Sequence, residues 1–252
     1  MQSQRVVLDL PKMQRGLIGL MIANVACYVF ELLALRGGLS GIRLLFLTPI
    51  ETFSGYLWQP FTSFWFHDPG SVGHLLWNLL FLYLFGARME AWWGTRRFLT
   101  AYVIYGVSGN LLTLLVAGLS QWPMAEPLIG GFIASTHLGA SGAIMGVTVA
   151  WGLVHANQRI NLLLLGEMTG KTFVLLLVGI QLLTALSFSN VSVTSHLGGM
   201  MGAWVLAKGL WRPTRWKEAW RRQRLKRQRR KIENELRVID GGRPPPDPKD
   251  WN

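Results

Sequence analysis

A serine sits between two glycines in His137-Leu138-Gly139-Ala140-Ser141-Gly142 and opens an apolar run from Ala143 to Val154. Gly139 and Gly142 carry no Cβ, so the backbone can turn sharply and other groups can approach the Ser141 hydroxyl closely. A helix starting here points free N–H groups and a positive dipole end at any negative charge that develops. Gly-x-Ser-Gly alone equally describes a packing serine, because small residues are common between membrane helices. A Ser hydroxyl is a poor nucleophile until an adjacent base takes its proton, and histidine as a residue type suits that work, which makes His196 the candidate base. His74 and Asn78 are four apart and share one helical face. Asn78 can offer its amide N–H to an oxyanion beside the Ser141 backbone N–H. The candidate set read from these residues is therefore Ser141 and His196 as catalytic groups and Asn78 as an oxyanion donor, with His74 on the same face and Gly139 in the turn that would meet substrate before the serine. The competing reading has each polar residue simply bonding a neighbouring helix. His67, His137 and His155 read as loop or interface residues, His137 being a weak rival base in the loop before the serine.

The elements that must carry these groups follow from composition. Of 252 residues half are hydrophobic, only 15% are charged and 12 are Trp. Several apolar runs approach the roughly 20 residues a bilayer requires, which predicts an all-α polytopic membrane protein. Residues 1–16 are polar and basic, and do not read as a cleaved signal peptide. Six spans are predicted: Leu17 to Leu35, Val72 to Arg88, Phe98 to Ala117, Ser141 to about Asn157, Thr172 to Leu186 and Thr194 to Leu210. The connection 36–72 is too aromatic and too rich in Pro and Gly for a simple linker. Its stretch Trp58 to Phe66 has the character of a segment lying at the membrane interface. The single cysteine, Cys27, excludes an intrachain disulfide.

Lys and Arg cluster before the first span, between the second and third, between the fourth and fifth, and after the sixth. The loops on the other side hold only Arg36 and Arg43. The positive-inside rule then predicts both termini in the cytoplasm of a multi-pass cell-membrane protein. With that topology, His74, Asn78, Ser141 and His196 all lie near the outer ends of spans two, four and six. From Ser141 to Arg159 is ~27 Å of helix at 1.5 Å per residue, so the serine is expected at or below the outer surface. Loop 118–138 must fold inward to reach it. Gly142, Gly146 and Ala150 form one bare stripe, and Gly198 and Gly202, flanked by Gly199 and Ala203, form another. Two such faces allow close approach and would bring His196 against Ser141.

Taken together, His74-x-x-x-Asn78, Gly86-Ala87-Arg88-Met89-Glu90 with Gly94, Gly139-Ala140-Ser141-Gly142, and His196 with its glycines make residues 55–205 resemble the rhomboid intramembrane serine proteases. The resemblance implies a six-transmembrane-helix bundle, Ser141 as nucleophile, and His196 as base without a third acidic member. It also implies His74 and Asn78 at the oxyanion site and a structural role for Glu90. Two positions depart from the pattern. Gln59 follows Trp58 where the family often has arginine, and Met145 stands where an aromatic commonly packs on the histidine. Methionine can still fill that gap and contact the imidazole ring.

The expected organisation is a cytoplasmic segment 1–16, a membrane domain 17–211, a basic cytoplasmic helix 212–240 and a disordered tail 241–252. From Trp211 onward there are 14 Lys/Arg against six Asp/Glu, which suits anionic lipid headgroups rather than nucleic acid. The predicted function is serine endopeptidase cleavage of transmembrane protein substrates near the outer membrane face, with no metal or cofactor. The alternative is a catalytically inactive relative that binds transmembrane helices without cutting them. A transporter would predict further mid-membrane charges and an internal repeat, and neither is seen.

Overall fold

The computed structural model describes residues 6–7, 11–123, 130–162, 166–186, 193–208, 221, 224–230 and 232–233. The long apolar runs become its principal helices. Helix α1 is Arg15–Arg36, and Gly37 closes it by donating its N–H to Leu33 O at 2.9 Å. Two short helices follow in the aromatic connection, α2 at Pro49–Phe53 and α3 at Gln59–Thr62. Helix α4, Val72–Trp93, starts where the Ser71 hydroxyl accepts the His74 N–H, and it carries one π turn at Leu82–Gly86. Gly94, at φ +77°, takes a backbone conformation that L side chains rarely adopt, and so separates α4 from α5 at Thr95–Leu119. Further helices among the described residues are α6 at Ser141–Val154, α7 at Gly170–Leu186 and α8 at Val193–Ala207.

Among the described residues three helices, α1, α4 and α5, are long and apolar enough to cross a membrane. Helices α6, α7 and α8 have 14, 17 and 15 residues, all shorter than a full straight span. Helix α4 runs five residues beyond the predicted Arg88. Helix α6 stops three short of Asn157, where the His155 ring turns back to the Trp151 carbonyl, Nδ1 to O at 2.9 Å. The sixth predicted span ended at Leu210, and residues 209–210 lie outside the described ones, as does the tail from 241.

The all-α expectation needs one correction. After α6 the chain forms β2 at Arg159–Leu162 and β3 at Gly166–Thr169, an antiparallel pair, and β1 at Val6–Val7 adds to β2 in parallel. The local signal is a period-two alternation, with Ile160 buried between exposed Arg159 and Asn161. It is only a few residues long and lies between two apolar runs, so the helical period dominates any wider window.

The core is built where α5, α6 and α8 meet. The two small-residue stripes do not simply face each other. Gly142 and Gly199 touch, and a methyl on Gly199 would overlap the Gly142 carbonyl. Gly146 instead packs on the Tyr105 ring of α5, and Gly198 and Gly202 pack on Ser108 of α5. Helix α5 therefore packs on Gly146, Gly198 and Gly202, while Gly142 meets Ser195 and Gly199 of α8 at the serine end.

The exterior is apolar as well as the core, and several polar side chains are buried. Ile22, Phe30, Leu33, Leu76, Trp77, Leu111, Leu115, Leu175, Leu183 and Trp204 point outward, whereas Asn24, Glu31, Asn78, Asn110, Thr113, Thr148 and Gln181 are buried. Such a surface suits lipid, where polar groups must find partners inside the bundle. Lys208–Asn252 forms a separate unit. Its residues 221, 224–230 and 232–233 are helical and exposed, with an Arg229–Glu233 pair at 2.9 Å.

Candidate active site

Ser141 is the first residue of α6, so its Oγ stands at the end where the helix N–H groups are free. The backbone reaches it through Gly139, whose φ of +127° is strained for any residue with a side chain. A methyl on Gly139 would meet His74 Cε1 at 3.0 Å and Ser141 Oγ at 3.6 Å. The absent side chain is thus what lets the imidazole of α4 and the hydroxyl of α6 share one small space. His196 of α8 completes the group, with Nε2 at 2.7 Å from Ser141 Oγ. Asn78 lies one turn beyond His74, 7% exposed, and its Nδ2 donor has no partner among the described residues. The structure thus brings Ser141, His196, His74 and Gly139 together, and puts Asn78 on the same helix as His74.

Several unpredicted supports hold this space open. The segment before the serine is tied down by an antiparallel bridge, Leu47 N–H to His137 O at 3.0 Å and His137 N–H to Leu47 O at 2.8 Å. Gly139 N–H donates to Ser63 O at 3.3 Å. Asn110 of α5 then holds Ser63 in turn, its Nδ2 donating to Ser63 Oγ and to Pro60 O, both at 2.9 Å. A buried amide in a membrane helix is the sequence signal that marks Asn110. His67 is fully buried behind His74, the two rings edge-on with centroids 5.6 Å apart, and its backbone N–H donates to the carboxylate of Glu31 at 3.1 Å. His137 instead bonds Ser135 Oγ through Nε2 at 2.8 Å and packs on Phe132.

The second nitrogen of His196 also has a partner that sequence reasoning missed. Its Nδ1 lies 3.1 Å from Oε1 of Gln181 on α7, an amide 8% exposed in the otherwise apolar run Phe173 to Leu183. The two departures noted above have separate outcomes. Gln59 is fully buried; its Oε1 accepts Thr48 N–H at 3.0 Å and Thr52 Oγ1–H at 2.7 Å, and its Nε2 donates to Glu51 at 2.8 Å. Glutamine therefore anchors the aromatic connection. Met145 is half-buried against the core. Glu90 is fully buried at the far end, where its carboxylate accepts the N–H groups of Gly16 and Leu17 at 2.9 and 2.7 Å, and Thr95 Oγ1 at 2.6 Å. It caps the first turn of α1, where a negative charge is favourable.

A helical bundle with an apolar exterior and a serine–histidine contact inside it is the arrangement into which comparison with known proteins fits. The Rhomboid domain model matches residues 54–213, and the chain belongs to the rhomboid family. It is 27% identical over 190 residues to the Rhomboid protease GluP of Bacillus subtilis (strain 168), covering 73% of this chain and 33% of that protein. It is 29% identical over 156 residues to the Putative rhomboid protease YdcA of the same organism, covering 61% of this chain and 67% of that protein. Rhomboid protein 1, mitochondrial, of Saccharomyces cerevisiae is 28% identical over 144 residues, 54% of this chain and 39% of its own length. The alignments thus span about a third to two thirds of these relatives.

Proposed function

We propose that this protein is an intramembrane serine protease in which Ser141 is the nucleophile and His196 the general base. The observation that carries the reading is the 2.7 Å contact between His196 Nε2 and Ser141 Oγ, made by residues 55 apart in sequence. In the first step Nε2 takes the hydroxyl proton as Oγ adds to the substrate carbonyl. The negative charge moves to the carbonyl oxygen, beside the start of α6 and within the group that includes His74, Asn78 and Gly139. Collapse of this intermediate expels the amine, which receives the proton from His196, and leaves an ester on Ser141. Water then adds with His196 again as base, and Ser141 leaves with its proton restored. The substrates are transmembrane protein segments cut near the outer membrane face. The membrane domain crosses six times, with α6, α7 and α8 as spans four to six and both termini cytoplasmic.

The test is covalent labelling of the detergent-purified full chain with a fluorophosphonate. Ser141→Ala is expected to abolish labelling, and His196→Ala to reduce it by about 10²–10⁴, the contribution of a positioned base. A folded protein that resists the probe at neutral and alkaline pH, and cuts no transmembrane substrate, would support the binding-only alternative instead.

A further inference from the structure

A neutral imidazole carries its proton on one nitrogen and a lone pair on the other, and only the bare nitrogen can act as a base. At His196 the two nitrogens have different neighbours. Nε2 faces the Ser141 hydroxyl at 2.7 Å, and Nδ1 faces Gln181 Oε1 at 3.1 Å. A carbonyl oxygen only accepts, so the nitrogen that meets it must carry the proton. Gln181 Oε1 therefore fixes the proton on Nδ1 and leaves Nε2 bare toward Ser141.

We infer that Gln181 is the positioning residue of this site, a neutral third member that selects the His196 tautomer and holds the ring plane. This role rests on the proposed Ser141–His196 chemistry and deepens it. Three observations support it together. Gln181 comes from α7, whereas Ser141 and His196 come from α6 and α8, so the contact joins three helices at one ring. Its neighbours on α7 point the other way: Ile180, Leu182 and Leu183 are exposed while Gln181 is 8% exposed. A single inward amide in an apolar helix is costly unless its polar atoms find partners, and His196 is the partner found here. Met145, where the resemblance would place an aromatic against the ring, has a thioether, which is only a weak acceptor. Helix α7 therefore supplies the hydrogen bond that orients the base.

Because the amide is uncharged, Gln181 orients the imidazole without adding the attraction for an imidazolium that a carboxylate would supply. Two measurements on the full chain in detergent test this. The first is the ¹⁵N NMR signature of histidine-labelled protein, with the His196 signals assigned by their loss in His196→Ala. The wild type is expected to show the Nδ1–H tautomer, and Gln181→Met, which has similar length and no strong acceptor, to lose that preference. The second is the rate of fluorophosphonate labelling. Gln181→Met is expected to slow it about 10- to 100-fold at unchanged melting temperature, and Gln181→Glu, which keeps an acceptor, to restore most of it. A wild-type His196 in the Nε2–H form, or Gln181→Met with wild-type tautomer and labelling rate, would overturn the role of Gln181. A wild type that is never labelled but shows the Nδ1–H tautomer would count against the proteolytic reading and leave the Gln181 contact standing.

Discussion

Asn78 presents the sharpest question at the level of single residues. Its Nδ2 is buried with no partner among the described residues. An unsatisfied buried donor of this kind costs about 1–3 kcal/mol. A site that needs a donor for a charge formed only during reaction would carry that cost at rest. If Asn78 serves the oxyanion, Asn78→Ala should slow acylation by a substrate by about 10²–10³. Its melting temperature should stay the same or rise, because no bond is lost in the resting state. Unchanged turnover in a folded variant would remove Asn78 from the chemistry. Ser141, His74, Asn78 and His196 were legible as candidates because polar groups in apolar spans stand out and topology gives them similar depth. Gln181 and Asn110 have the same character and were overlooked, since neither is a nucleophile or a base. Their importance lies in what they touch, and Gln181 meets His196 across 15 positions only once α7 and α8 have packed.

At the scale of elements, the small residues decide how near two helices can come. The stripes on α6 and α8 were readable from their four-residue spacing, but their partners were not. Spacing reports which face is bare, whereas the helix that fills it depends on every other contact in the bundle. Tyr105 of α5 packs on Gly146 and Ser108 of α5 on Gly198 and Gly202, while Gly142 meets Ser195 and Gly199 of α8 at a junction beside the serine. A methyl on Gly199 would meet the backbone carbonyl of Gly142, which cannot swing aside as a flexible side chain can. Gly199→Ala is therefore expected to destabilise the bundle by about 1–3 kcal/mol, the range for overpacking. Gly179 on α7 offers the matched control, because a Cβ there meets nothing within 4 Å. Gly179→Ala should be neutral or slightly stabilising, since alanine favours helix by up to about 1 kcal/mol. Equal thermal melts for the two variants in detergent would mean that the junction is looser than this packing implies. The three-stranded sheet was the element least open to sequence reading, because β1 pairs with β2 across more than 150 positions.

For the molecule as a whole, an outward apolar surface around buried polar groups fits a bilayer, and charge placement gives that bilayer a direction. Helices α1, α4 and α5 are individually long enough to span, while α6, α7 and α8 are short. A short helix can still cross where irregular backbone beside it is packed in protein, as the segment leading to Ser141 is through Leu47 and Ser63. If all six cross, the loop holding Gln121 is outside and Asn252 is inside. The proposed topology rests on charge: Arg36 and Arg43 are the basic residues in the loops it would put outside, and the 14 Lys/Arg from Trp211 onward fall on the side it would put inside. A reporter inserted at Gln121 should therefore read external and one fused after Asn252 cytoplasmic. In that orientation, we propose, the basic segment meets anionic headgroups. Charge reversal at Arg224, Lys226, Arg227 and Arg230 should then weaken binding of a 212–240 peptide to anionic vesicles by about 1 kcal/mol per residue. Both reporters reading the same side would mean an odd change in the number of crossings between residues 121 and 252. The most economical way to obtain that is for one of α6, α7 or α8 not to span, and because Ser141, Gln181 and His196 sit on those three helices, the depth of the site would have to be drawn again.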